Sequence, residues 1–190
     1  MKKKIPKKIT LDNLEKSAMK YLEKYSASEY QLITILKRKI IKTSFFYKTK
    51  PEEDFTLIEL IINKFKKIGL INDRKFSENK AVIYIERGFS KKKVIFNLKS
   101  KGISDENIEW AIKYLKKSYE NYELLSALIF ARKKKIMNFK KTKNDLEENK
   151  KKLLQMSQAG FSYDIAKKII DLTSEKEFLY LEKYSKYGND

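Results

Sequence analysis

Five glycines and two prolines are the only strong backbone breakers in this 190-residue chain, and that scarcity restricts its fold more than any other feature. A β architecture needs a turn about every ten residues, each drawing on Gly, Pro, Asn or Asp. Helices need far fewer. With 42% of residues hydrophobic and 36% charged, there is enough apolar surface for a core and enough charge to solvate outer helix faces, so the sequence predicts an all-α protein.

The breakers also mark where the helices stop. Gly88 and Gly102 each follow a segment of helical composition, where a residue of positive φ ends a helix well. Phe89 lies just past the first glycine, Ser90 is placed to cap the next helix, and Lys91, Lys92 and Lys93 crowd its first turn. Three lysines there oppose the helix dipole, a small cost that an anionic partner would relieve.

From Leu11, apolar residues at Leu14, Ala18, Tyr21, Leu22 and Tyr25 predict a first helix. Ser26-Ala27-Ser28-Glu29 reads as a capping box opening a second, with Leu32, Ile35, Leu36 and Ile40 as its stripe. Thr43 to Lys50 reads as a connection, and Pro51 with Glu52, Glu53 and Asp54 as the start of a helix that ends at Gly69. Further helices are predicted to Arg87, over Ser90 to Lys101, from Ser104, over Tyr119 to Lys135, over Leu146 to Ala159, from Phe161, and from a second capping box at Ser174.

YLEKYSASEYQLITIL at Tyr21, YIERGFSKKKVIFNL at Tyr84 and MSQAGFSYDIAKKII at Met156 share a helix end, an aromatic, a serine and an amphipathic restart, roughly 60 to 75 residues apart. Tandem three-helix repeats explain that recurrence: residues 11–70, 71–117 and 118–173, after a basic tail at 1–10 and before a helical extension at 174–190.

Lysine and arginine number 44 against 25 acidic residues, a formal net charge of +19 that predicts attraction to polyanions. Only four of the basic residues are arginine. An A-rich coding sequence would produce that bias, but it would raise glutamate as well, so it accounts for lysine over arginine better than for the positive excess. The candidate contacts are Arg87, Lys91, Lys92, Lys93, Lys99 and Lys101, and in the segment RKKKIMNFKKTK, Arg132, Lys133, Lys134, Lys135, Lys140 and Lys141. Phe89, Phe161 and Tyr25 flank helix ends, where an aromatic ring plugs a hairpin core more readily than it stacks on a base.

The absence of cysteine and histidine removes thiolate and imidazole chemistry and zinc–thiolate sites. The acidic pairs Glu52/Glu53, Asp105/Glu106 and Glu147/Glu148 are sequence neighbours that diverge on a helix, so none forms a catalytic dyad. No phosphate-cradling glycine-rich loop occurs. The reading is of a non-enzymatic protein with no cofactor, metal or small-molecule substrate. Without an apolar run long enough for a signal peptide or membrane span, it is expected to be soluble and cytoplasmic.

Three places resemble the RecX family of RecA regulators. Tyr25-Ser26-Ala27-Ser28-Glu29-Tyr30 is similar to its YSxxEL signature, with Tyr30 in place of leucine. Gly88-Phe89-Ser90-Lys91-Lys92-Lys93-Val94, then Leu98 and Lys101-Gly102-Ile103, resembles its central stretch in unbroken register. Gly160-Phe161-Ser162-Tyr163-Asp164 resembles its RGFSxD motif, with Gln158-Ala159 where basic residues are usual. Asp73 and Phe76 fit its DDxxFA segment, with Ser77 in place of alanine. The resemblance implies a curved array of three three-helix repeats that lies in the groove of a RecA filament on single-stranded DNA and inhibits its growth, ATP hydrolysis and strand exchange. The alternative is a basic helical nucleic-acid-binding protein with no recombinase partner.

Overall fold

The computed structural model describes residues 5–137, 139 and 145–188, which form ten α-helices and no strand. They are α1 Leu11–Leu22, α2 Glu29–Tyr47, α3 Thr56–Lys67, α4 Asp73–Glu86, α5 Lys91–Lys99, α6 Asp105–Ser118, α7 Tyr122–Lys133, α8 Asp145–Gln158, α9 Tyr163–Ile170 and α10 Glu175–Tyr187. The all-α expectation holds. Two compact units form: residues up to Phe76 with Lys101–Ile103, and Ser77–Ser100 with the chain from Ser104.

In the first unit, Leu14 and Ala18 of α1, Leu32, Leu36 and Ile40 of α2, and Ile58, Ile61, Ile62 and Phe65 of α3 fill one core, closed by Ile71. Of the stripes that predicted α1 and α2, Leu14, Ala18, Leu32, Leu36 and Ile40 are thus buried and Tyr21 and Leu22 pack against them, whereas Tyr25 is exposed and Ile35 is half-buried. Two local readings change. The capping box that opens α2 is built on Ser28, not Ser26: Ser28 Oγ accepts from Gln31 N at 3.2 Å, while Gln31 Oε1 accepts from Ser28 N at 3.3 Å. Glu29 is drawn away, pairing with Lys66 at 2.8 Å. α2 also runs through the expected connection to Tyr47, because no breaker precedes Pro51 and Thr43 and Ser44 continue its buried face. It ends on Lys48 in the left-handed region, and Pro51–Asp54 forms a 3-10 turn before α3.

In the second unit α7 is apolar nearly all round, with Tyr122, Leu124, Leu125, Ala127, Leu128 and Ala131 buried. Met156 of α8, Phe161, Ala166 and Ile169 around α9, and Phe178 of α10 pack into the same core. α7 starts three residues later than the sequence predicted: Asn121 caps it, its side chain accepting from Leu124 N at 3.0 Å, while Tyr119 is extended and buried. α10 is fastened to α7 where Asn121 N donates to Ser185 O at 2.9 Å and where the Arg132 guanidinium, 4.8 Å above the Phe178 ring, pairs with Glu182.

Candidate functional site

The central basic stretch lies at the corner between α4 and α5. Gly88, at φ +78°, closes α4: its N–H donates to Ile85 O at 2.8 Å and Phe89 N–H to Tyr84 O at 2.9 Å, the paired bonds of a Schellman end. The hydrophobic contact that accompanies such an end is the stack of Phe89 on Tyr84, centroids 5.4 Å apart. A Cβ on Gly88 would come within 2.8 Å of Phe130 N, so the corner rests directly on the α7 backbone.

Ser90 then caps α5, its Oγ accepting from Lys93 N at 3.4 Å and donating to Ala159 O at 2.6 Å. Next to that carbonyl is Gly160, where a Cβ would meet Ser90 Oγ at 2.6 Å and Lys92 Cβ at 3.4 Å. The first unit repeats the arrangement. Ser28 Oγ donates to Lys101 O at 2.6 Å, and a Cβ on the adjoining Gly102 would collide with Tyr30 Cβ at 2.3 Å. In each case a buried cap serine binds the carbonyl before a glycine, and the residue two beyond the serine covers that glycine. Tyr30, which departs from the RecX signature, fills that covering position.

Once on the corner, the three lysines take different partners. Lys91 pairs with Glu123 of α7 at 3.7 Å, Lys93 holds its ammonium 4.3 Å above the Phe89 ring, and Lys92 is exposed with its stem beside Gly160. Glu123 also accepts from the Tyr122 hydroxyl at 3.1 Å, and burial, then this carboxylate, push the Tyr122 phenol well above its usual range. Lys99 pairs with Asp105 at 2.7 Å. Lys101 is half-buried, its carbonyl taken by Ser28.

The second basic segment is divided as well. Arg132 is committed to Glu182 and Phe178, and Lys133 donates to Arg87 O at 3.3 Å, which joins the end of α7 to the end of α4. The side chains of Arg87, Lys92, Lys134 and Lys135 are exposed and enter no ion pair among the described residues. Lys140 and Lys141 lie outside the described residues.

Phe161 is buried against Phe130, centroids 5.3 Å apart, and Phe89 is half-buried, as their core reading expected. Tyr25 is exposed beyond the end of α1, its ring 5.1 Å from Tyr21. The sequence reading passed over Glu123, whose place facing Lys91 depends on packing between distant segments. It also passed over Phe45 and Phe96, which are exposed. Among the described residues no three His, Cys, Asp or Glu side chains gather as a metal site, and no helix is long and apolar enough to cross a membrane.

These features define an all-helical, strongly basic protein with unpaired cations at helix corners and no grouping of catalytic side chains among those described. No family model matches the chain. A regulatory protein RecX of Myxococcus xanthus is 33% identical over 167 residues, covering 87% of this chain and 88% of the relative. That of Agrobacterium fabrum is 25% identical over 160 residues, 84% and 83% of the two chains. The crystal structure of RecX from Lactobacillus salivarius superposes with a TM-score of 0.59 at 19% identity, covering 86% of this chain and 96% of that one, and shares the fold. The chain belongs to the RecX family of regulatory proteins.

Proposed function

We propose that this protein regulates recombination by binding a RecA filament on single-stranded DNA and limiting its extension, ATP hydrolysis and strand exchange. Family membership across most of the chain carries the reading. The net charge of +19 and the exposed Arg87, Lys92, Lys134 and Lys135, which pair with no acidic side chain among the described residues, support contact with a polyanionic assembly. Lys91, Lys93, Lys99, Lys101 and Lys133 contribute around them, and Arg132 acts through the placement of α10. The ten helices are read as three three-helix repeats, 11–70, 71–117 and 118–173, with an extension at 174–190. The matching bonds from Ser28 to Lys101 O and from Ser90 to Ala159 O support that division, each running from the second helix of one repeat to the carbonyl before a glycine in the next. The protein acts in the cytoplasm, without cofactor.

The test is ATP hydrolysis by a RecA filament on single-stranded DNA, with the protein titrated in beside a basic control protein of matched charge. Inhibition far below one protein per recombinase, absent with the control, is the expected result. Inhibition only at amounts that coat the DNA, matched by the control, overturns filament regulation in favour of plain competition for phosphates.

A further inference from the structure

Two exposed phenylalanines share one setting. Phe45 on α2 is 88% exposed and Phe96 on α5 is 71% exposed. Each has a lysine three residues before and three after it: Lys42 and Lys48 around Phe45, Lys93 and Lys99 around Phe96. Residues three apart on a helix are surface neighbours, as Lys42 and Phe45 are, and Lys48 follows directly on the last residue of α2. A lone exposed apolar side chain is ordinary. A bare ring bracketed by cations, twice, is a repeated design.

The setting is more complete around Phe45. Arg38 and Ile41 lie seven and four residues before it, on the face opposite the buried Leu32, Leu36 and Ile40. Arg38, Lys42 and Lys48 are exposed, and no ion pair or side-chain hydrogen bond engages them among the described residues. No acidic residue occurs between Glu29 and Glu52. At the helical rise, Arg38 and the Lys48 that ends α2 stand about 15 Å apart, with Lys42 and the ring between them.

We propose that this face of α2 is a platform for single-stranded nucleic acid, a base stacking on Phe45 while phosphates on either side pair with Arg38, Lys42 and Lys48. Charge complementarity selects a polyanion. The ring selects a nucleic-acid strand over an acidic peptide, because it stands clear of the surface: a flat base stacks on a protruding ring, whereas a peptide side chain needs a groove to enter. Phe96 repeats the device in weaker form, since Lys99 is held by Asp105 and Lys93 lies over Phe89. The platform goes beyond the filament reading, because it requires no recombinase.

The experiment measures anisotropy of a labelled oligothymidylate and of an abasic strand of equal length, with the full chain and no recombinase. Phe45→Ala is expected to weaken binding to oligothymidylate by roughly fivefold to a hundredfold and to leave the abasic strand unaffected. Arg38→Ala with Lys42→Ala is expected to weaken both, with a salt slope shallower by about 0.7 for each phosphate no longer neutralised. The platform is overturned if Phe45→Ala binds oligothymidylate as the wild type does, or weakens equally on both strands. The two readings fail separately: a filament inhibitor that binds no free strand removes the platform and keeps the regulator, and a strand binder with no effect on filament hydrolysis does the reverse.

Discussion

Replacing Ser90 by alanine removes two hydrogen bonds, whereas replacing Ser162 removes one. Both serines cap helices, each accepting from the third helical amide at 3.4 Å, but only Ser90 also donates to a distant carbonyl, Ala159 O at 2.6 Å. Loss of a serine cap costs about 1 kcal/mol. Leaving the half-buried Ala159 carbonyl without its donor adds about 1 to 2 kcal/mol. Ser90→Ala is therefore expected to lose about 2 to 3 kcal/mol and Ser162→Ala about 1. At roughly 2 to 4 °C per kcal/mol for a chain of this size, Tm should fall by about 5 to 10 °C against about 3 °C. A second matched pair makes the same comparison: Ser28 caps α2 and donates to Lys101 O, and Ser104 caps α6 with its side chain exposed to solvent. Urea unfolding of the four variants measures both differences. Equal losses within each pair, to about 0.5 kcal/mol, would refute the claim that the serine-to-carbonyl bond ties the helices together.

Three further outcomes follow from the structure. Lys135 closes α7 in the left-handed region at φ 54°, with Ile136 N bonded to Ala131 O at 2.9 Å. Lys135→Gly should gain about 1 kcal/mol in urea unfolding, and a loss of stability would show that the lysine side chain holds the corner. Asp73 accepts from Glu29 N at 2.8 Å, and burial pushes its carboxyl above the usual range despite that bond. Its native pKa is raised, so the protonated form favours folding, and this contribution is lost as pH rises from the unfolded value of 3.8 through the native one. The stability of Asp73→Asn relative to wild type should accordingly be greater at pH 7 than at pH 3, and a gap that narrows with rising pH contradicts the burial assignment. Lys92→Ala combined with Lys134→Ala and Lys135→Ala should weaken filament or DNA binding with little change in Tm, while Arg132→Ala should lower Tm because it unpairs Glu182 and uncovers Phe178. Unchanged binding by the triple variant removes those lysines from the interface.

Helix identity was readable because each helix carries its own evidence: the stripe Leu32, Leu36 and Ile40 is buried where its period says, and Gly88 stops α4 where a positive φ is needed. The partners of the basic residues were not readable in the same way. Nothing near Lys91 in the chain announces Glu123, and nothing near Arg132 announces Glu182, 50 residues away. A run of lysines looks uniform in sequence because charge is a property of the residue, while availability is a property of the packing. The fold separates RKKK at 132–135 into an anchored arginine, a lysine spent on the Arg87 carbonyl and two cations with no ion-pair partner among the described residues.

The boundary of α2 shows how one local reading changes a function. Taken as a connection, Thr43 to Lys50 leaves Phe45 with no defined neighbours and its lysines with no common face. Thr43 and Ser44 carry too little apolar surface to signal a buried stripe, yet both are buried and extend the Leu36 and Ile40 face by a full turn. Continuing the helix settles the opposite side by geometry alone, since residues at i, i+3, i+4 and i+7 share a face. Arg38, Ile41, Lys42 and Phe45 occupy those positions. A polar pair buried at the end of α2 therefore aligns the cations and the ring, and breaking the helix with Thr43→Pro should weaken binding to both strands together with loss of the last turns of α2, whereas Phe45→Ala should weaken binding to the base-bearing strand alone.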